Sequence, residues 1–352
     1  MKNHPTPPPS PPPSPTPGQA EPERASIGAV AAHAGVSVAT VSRVMNGQDG
    51  VRPKTRDKVM AAVDALNYRM NHLARNLRTA ESRLLLAMVP DVANPFYAQI
   101  VRGIDSVARQ HGYFVLLCDT GAEEGRERSY FDLLRTNRAD GAICLDPDTI
   151  QHALMNESKS LPWVACCEFD PAVAVPYVGI DNRRAAADAV RHLIERGHRR
   201  IAMINSDDRY LYARERRRGY HDALREAGLD ARDDWHRTVQ DLDYAAGADA
   251  ARALMALPEA PTAIFAVSDT LAIGVLSGLR RLGLRVPDDV AVIGFDNISI
   301  AAEIDAGLST VAQPMRELGE TAARLLLKRL AEPDAHVPGV LLEHRLTIRG
   351  ST

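Results

Sequence analysis

The chain is poor in several things, and each shortage removes a class of function. Its four cysteines, Cys118, Cys144, Cys166 and Cys167, show no CxxC or Cys/His metal spacing and fall mostly in apolar runs, so they read as reduced, buried thiols of a cytoplasmic protein. No apolar run approaches the roughly 20 residues of a membrane span. The N-terminus offers prolines where a secretory signal needs an apolar stretch, so neither export nor a membrane partner is expected. There is no P-loop, no GxSxG elbow, no HExxH and no GxGxxG after a strand. An enzyme is therefore not expected, nor a cofactor or bound metal. The vicinal pair Cys166–Cys167 invites a redox reading, but an apolar strand is a poor place to expose a thiolate.

What is present is a 352-residue chain with 45% apolar residues, enough for more than one domain with a buried core. Its net charge of −3 conceals an asymmetry. Residues 24 to 80 hold nine Lys or Arg against three Asp or Glu, leaving residues 81 to 352 near −8. Residues 1–24 contain ten of the 23 prolines and read as a disordered or polyproline-like arm, to which no function is assigned.

From Ser26 the pattern becomes helical. Ser26 can cap a helix that buries Ile27, Val30, Ala31 and Ala34; Gly35 supplies a tight turn; and Ser37 caps a second helix. A third helix should start at Pro53 and bury Val59, Val63 and Leu66. A plain helical hairpin whose polar side chains face water fits the same spacing, but the basic charge favours a helix-turn-helix. In that arrangement the second helix enters the major groove of double-stranded DNA. Val38 and Ala39 are small enough to touch thymine methyls, and Arg43 can fork onto a guanine edge. Ser37, Thr40, Ser42 and Asn46 set register on phosphates. Arg52, Lys54, Arg56 and Lys58 add salt-sensitive attraction.

The segments IGAVAAHAGVSVATVSRVMNG, VRPKTRDKV and NYRMNHLARNLRT resemble the DNA-binding head and hinge of the LacI/GalR repressors. ANPFYAQIVRGI, HLIERGHRRIAMI, PTAIFAVSDTLAIGVL and VPDDVAVIGFDN resemble successive motifs of the same family's core, so the likeness covers about residues 26–350. Within the family, EFDPAVAVPYVGIDN, STVAQP and LTIRGST look most like the cytidine-repressor subgroup. Arg52 departs from the family pattern by standing where a Ser or Thr often precedes the third helix. The resemblance implies a hinge from Asn71 through Ala74 to Arg78, helical only on DNA, in which Leu77 wedges into the minor groove of the operator. Leu77 packing on Leu73 in an ordinary linker helix is the alternative.

Beyond the hinge, apolar strands such as LLLAMVP, GAICL, RRIAMIN and VAVIGF alternate with amphipathic helices, as in doubly wound parallel sheets. The expected fold is thus an all-α helix-turn-helix head (25–69) and a hinge (70–82), followed by an α/β core of two doubly wound, periplasmic-binding-protein-like lobes. The first lobe takes residues 83–180 and 312–332, the second 181–311 and 333–352, with crossings near Asp181, near Val311 and around Val340. The resemblance places a small effector between the lobes, a nucleoside first and a sugar second. Asn94, Phe96 and Tyr97 open a helix after the first strand, Arg216 faces the cleft in relatives, and Asp269 and Asp296 each follow an apolar strand. An Arg with carboxylates suits a polyhydroxylated ligand. Tyr210 and Leu242 occupy base-pocket positions of purine-binding relatives, and His198 reads as structural. Alternatively, Asp269 caps its helix and Arg216 pairs with Glu215 or Glu226. With no leucine-rich heptads after the last strand, a homodimer is expected.

Overall fold

A computed structural model describes residues 25–45, 50–68, 81–121, 123–145, 161–169 and 175–352. The Pro-rich arm, Asn46 and the hinge residues Asn71, Ala74 and Leu77 lie outside the described residues. The chain divides into two units, 1–79 and 80–352.

In the first unit, α1 (Ile27–Ala34) is capped by the Ser26 hydroxyl, which accepts from the Ala29 amide at 3.2 Å, and ends at Gly35 with φ 66°. Ser37 then caps α2 (Val38–Met45) through the Thr40 amide at 3.2 Å. Helix α3 (Pro53–Ala65) starts on its proline, and Arg52 at its N-cap makes no side-chain cap bond. Val30, Val41, Val44, Val59 and Val63 form the shared core, as their helical spacing requires.

Among the described residues, the second unit holds two six-stranded sheets. In sequence, the first lobe comprises β1 (Leu84–Val89), α4 (Pro95–Gln110), β2 (Phe114–Asp119), α5 (Glu124–Arg135), β3 (Gly141–Cys144), β4 (Trp163–Cys166) and β5 (Tyr177–Ile180). The second comprises α6 (Asn182–Glu195), β6 (Ile201–Asn205), α7 (Leu211–Glu226), β7 (His236–Thr238), α8 (Tyr244–Met255), β8 (Ala263–Ala266), α9 (Asp269–Arg281), β9 (Ala291–Asp296) and β10 (Ser309–Ala312). The chain returns to the first lobe as α10 (Met315–Ala331) and β11 (Val340–Leu342), then crosses again to β12 (Arg345–Thr347).

Sheet orders are β11-β5-β4-β3-β1-β2 and β12-β10-β9-β8-β6-β7, all parallel except β12 against β10. Strands β3, β4, β8 and β9 are buried along their whole length, as sheets covered on both faces demand. One boundary differs from the sequence expectation. Val340 pairs in parallel with Val178 of β5, so β11 belongs to the first lobe and the last crossing falls at Glu343–His344, not before Val340. Helices α4 and α10 pack at glycines: a Cβ on Gly103 would strike the Arg316 carbonyl, and one on Gly319 the Ile100 carbonyl. Strand β2 is an edge that leaves Phe114, Leu116 and Leu117 exposed, Phe114 by 74%.

Candidate functional site

On the head, α2 buries Val41 and Val44 and turns its other side outward. Ser37, Val38, Ala39 and Arg43 are exposed there, with Thr40 and Ser42 half-buried. Ser37 shares its hydroxyl between the cap and Thr40 Oγ1 at 2.9 Å, which stiffens the entry to the helix. Arg52 and Lys54 are exposed at the start of α3, and Arg56 is half-buried one turn later. Three short hydroxyls, two small apolar side chains and one long guanidinium on one face suit a major groove.

In the core, strand ends of both sheets converge on a cavity of about 500 Å³. This is the size of a small-molecule site, at the carboxyl ends of parallel strands where such folds bind ligands. Asn94 caps α4 by accepting from the Phe96 amide at 3.0 Å, and Phe96 and Tyr97 meet edge-on at 5.2 Å along one wall. The opposite wall carries Tyr210 and Tyr212, whose rings stack at 5.4 Å, with Leu242 beside them on the lining.

Arg216 reaches the cavity from α7. It is 6% exposed, with Nε donating to Asn182 Oδ1 at 2.9 Å and Nη1 to the Val267 carbonyl. Its guanidinium lies over the Phe295 ring at 3.5 Å. Asp296 accepts from Gln313 Nε2 at 2.8 Å. Burial raises the Asp296 carboxyl above the usual carboxylate range, and Arg216 opposes the rise. Asp269 is raised in the same direction, first by burial and then by Asp296. Two buried carboxyls that repel each other retain a proton towards neutral pH. Tyr212 is also raised by burial.

The sequence resemblance is borne out by direct comparison. Residues 26–71 match the model described as bacterial regulatory proteins, lacI family, and residues 82–349 match periplasmic binding proteins and sugar binding domain of LacI family. The chain belongs to the LacI family. It is 39% identical over 324 residues to the HTH-type transcriptional repressor CytR of Escherichia coli K12, covering 92% of this chain and 95% of that one. Its fold is similar to that of the lac repressor dimer bound to operator and the anti-inducer ONPF, with TM-score 0.82 and 28% identity over 94% of this chain and 99% of that one. It is also similar to a LacI family transcriptional regulator from Enterococcus faecium with bound ribose, with TM-score 0.68 and 28% identity over 76% and 98% of the two chains.

Within this LacI-family core, Asn94, Phe96, Tyr97, Tyr210, Arg216, Leu242 and Asp296 line one cavity. Asp269 does not. It is fully buried, accepting from the Ile298 amide at 2.9 Å and the Thr310 hydroxyl at 2.6 Å, while Ser268 caps α9. Arg216 pairs with neither Glu215, which binds Arg218, nor Glu226, which binds Arg191. His198 hydrogen-bonds Thr262 at 3.1 Å and is structural.

Most of the other lining residues escaped the sequence reading, among them Cys167, Glu168, Asn182, Tyr212 and Gln313. All of these but Tyr212, which lies in the first turn of α7, sit just past a strand or at a lobe crossing, and that placement was the available signal. Cys167 is not fully buried as expected: with φ 72° it turns its thiol onto the cavity wall, 3.7 Å from Cys166 Sγ. Its pKa is raised, by the contact with Cys166 and then by burial, so the thiol stays protonated.

Proposed function

We propose that this LacI-family regulator is a transcriptional repressor that binds a pseudo-palindromic operator as a homodimer. A small, unphosphorylated effector held between the core lobes releases it. A nucleoside is the favoured effector, cytidine first, with a pentose or hexose as the second reading. The observation that carries the proposal is the chemistry of the cavity. Its lining has five carboxyl groups, those of Asp91, Glu168, Asp241, Asp243 and the partly protonated Asp296, against two guanidiniums, Arg209 and Arg216. Such a surface repels phosphate and favours donors, hydroxyls and amines.

Aromatic walls on two sides add a preference for a flat ring. Similarity to CytR supports the nucleoside, and the relative solved with bound ribose supports a sugar moiety. Release rather than co-repression is favoured by the same likeness to the cytidine-repressor subgroup. The homodimer is supported by the apolar edge of β2, which no other described strand covers, since an edge of this kind is an aggregation hazard unless a partner covers it. Arg43 reads one base pair per half-site, and Leu77 of each subunit wedges open the central step. The chain acts as a regulator, without catalysis.

The test is a thermal-shift screen of nucleosides, bases, sugars and nucleotides against the full chain, repeated with Asp296→Ala and Arg216→Ala. The true effector stabilises as RT ln(1 + [L]/Kd), about 2.7 kcal/mol at a hundredfold excess over Kd. That gain should vanish in the variants. Stabilisation by sugars alone overturns the nucleoside assignment, and no stabilisation at all favours a constitutive DNA-binding protein. Operator binding with and without the stabilising compound then gives the sign of the response.

A further inference from the structure

We propose that Glu168 is a latch between the core lobes: from the connection after β4 in the first lobe its carboxylate caps helix α7 of the second, and so holds the cleft closed before an effector arrives. This rests on the reading that the effector sits between the lobes, and it adds what holds them together without it. A helix leaves its first amides without intrahelical acceptors. Helices α4, α6, α8 and α9 meet that need from their own N-caps, through Asn94, Asp181, Asp243 and Ser268. Helix α7 does not, because its N-cap is Tyr210, whose side chain makes no cap bond. The acceptor comes instead from the opposite lobe. The Tyr212 amide donates to Glu168, at 3.3 Å from Oε1 and 3.4 Å from Oε2.

Glu168 is only 5% exposed, so its charge acts on the positive end of the α7 dipole with little solvent screening. Arg216, one turn along the same helix, feels the Glu168 charge as well, and that attraction pulls the two lobes in the same direction. The chain joins the lobes at three crossings, near Asp181, at Gln313 and at Glu343–His344. Glu168 belongs to none of them. It lines the cleft itself, together with Tyr212, so opening the lobes about the crossings separates the two residues. A carboxylate drawn off an N-cap leaves both the amide and a buried charge to find water. The bond is nevertheless long and divided between two oxygens, which keeps the latch weak enough to yield. An effector that touches both lobes binds the closed arrangement, so a latch that raises the population of that arrangement raises the apparent affinity in proportion.

The experiment measures the distance between spin labels on the two rims of the cleft in the ligand-free full chain. Labels at Val92→Cys and Tyr244→Cys suit it, since both residues are exposed and neighbour the lining residues Asp91 and Asp243 from opposite lobes. Cys167→Ser removes the one native thiol that is not fully buried, and excess unlabelled chain restricts the signal to one subunit. Adding Glu168→Ala should move the mean distance outward by more than about 2 Å. Glu168→Asp keeps the charge but withdraws it by one methylene, and should open the lobes as far as Glu168→Ala does. Glu168→Gln keeps the reach and an accepting oxygen, and should open them less. Saturating cytidine should return each variant to the distance seen with Glu168 intact. A cooperative urea transition shows that each variant is folded. An unchanged distance in Glu168→Ala, a match between Glu168→Asp and the parent, or variants that bind cytidine yet stay open overturns the latch and leaves the nucleoside reading in place. If cytidine binds none of these proteins, the nucleoside reading fails, and the ligand-free distances still decide the latch.

Discussion

Removing the Arg216 guanidinium perturbs the charge balance of the cleft at its centre. In Arg216→Ala the buried Asp296 and Glu168 carboxylates lose the cation that acts on both of them. Breaking a buried pair from one side costs about 3–5 kcal/mol. The lost hydrogen bonds to Asn182 and Val267 and the contact with Phe295 belong to the same network and are not additive with that figure. The expected destabilisation is about 4 kcal/mol, a large share of a domain's 5–15 kcal/mol. Arg216→Lys keeps the charge but not the planar fork, and should cost about half as much.

The pH dependence of that cost distinguishes a charge effect from a cavity. Burial raises the Asp296 carboxyl and Arg216 opposes the rise, so the variant raises it further. A group whose folded pKa lies above its unfolded value gives stability that is present below the unfolded value and lost as pH climbs through the folded one. The cost of Arg216→Ala should therefore stay flat up to about pH 7, where wild-type Asp296 ionises, and grow above it, by about 1.4 kcal/mol for each further pKa unit. Urea unfolding followed by circular dichroism, with constant m-value, measures it. A cost below about 1 kcal/mol, or one independent of pH, would refute the idea that Arg216 balances buried carboxylates.

Other consequences are more local. Arg43→Ala should cost about 1–3 kcal/mol and relax preference at one base pair per half-site, measured on operators varied base by base; a uniform loss would reduce Arg43 to a phosphate contact. Gly319→Ala drives a methyl into the Ile100 carbonyl and should cost about 1–3 kcal/mol of stability, read as a lower Tm, whereas an unchanged Tm would mean that α4 and α10 separate easily. Leu116→Asp on the exposed β2 edge should shift sedimentation from dimer to monomer at micromolar concentration, and a persisting dimer would place the interface elsewhere.

The sequence carried what is locally encoded. Ser26, Gly35, Ser37 and Pro53 mark helix ends by their own chemistry, and the apolar runs at β1, β3, β6 and β9 mark strands buried on both faces. Non-local pairing was not legible. VLL and RLT lie two residues apart and look alike, yet one joins β5 and the other β10, a choice made by partners more than thirty residues away. Asp269 and Asp296 present the same pattern, a carboxylate just past a strand, and only the packing of Ile298 and Thr310 over Asp269 separates a structural acid from a lining one. Glu168 was hidden behind two cysteines that drew attention to thiol chemistry, and no periodicity announces that Cys167 leaves the strand with a positive φ.

The same details connect the cleft to the crossings between its lobes. Asp296 and Asn297 hold φ values of 116° and 61°, conformations that non-glycine residues adopt only when their surroundings enforce them. Here the enforcement comes from the Ile298 amide on Asp269 and from Arg349 on the Asn297 carbonyl oxygen of the side chain at 2.8 Å. Gln313, in the second crossing, binds the Asp296 carboxylate, so a ligand donor at Asp296 meets a group already tied to the connection between lobes. On the other side Asn94 and Phe96 stand at the start of α4, which packs backbone-close on α10 through Gly103 and Gly319 and so moves with it. Helix α10 begins two residues after Gln313. A ligand that touches both Asn94 and Asp296 therefore spans the two ends of one short mechanical path, and its differential affinity for open and closed lobes acts on the Gln313 connection.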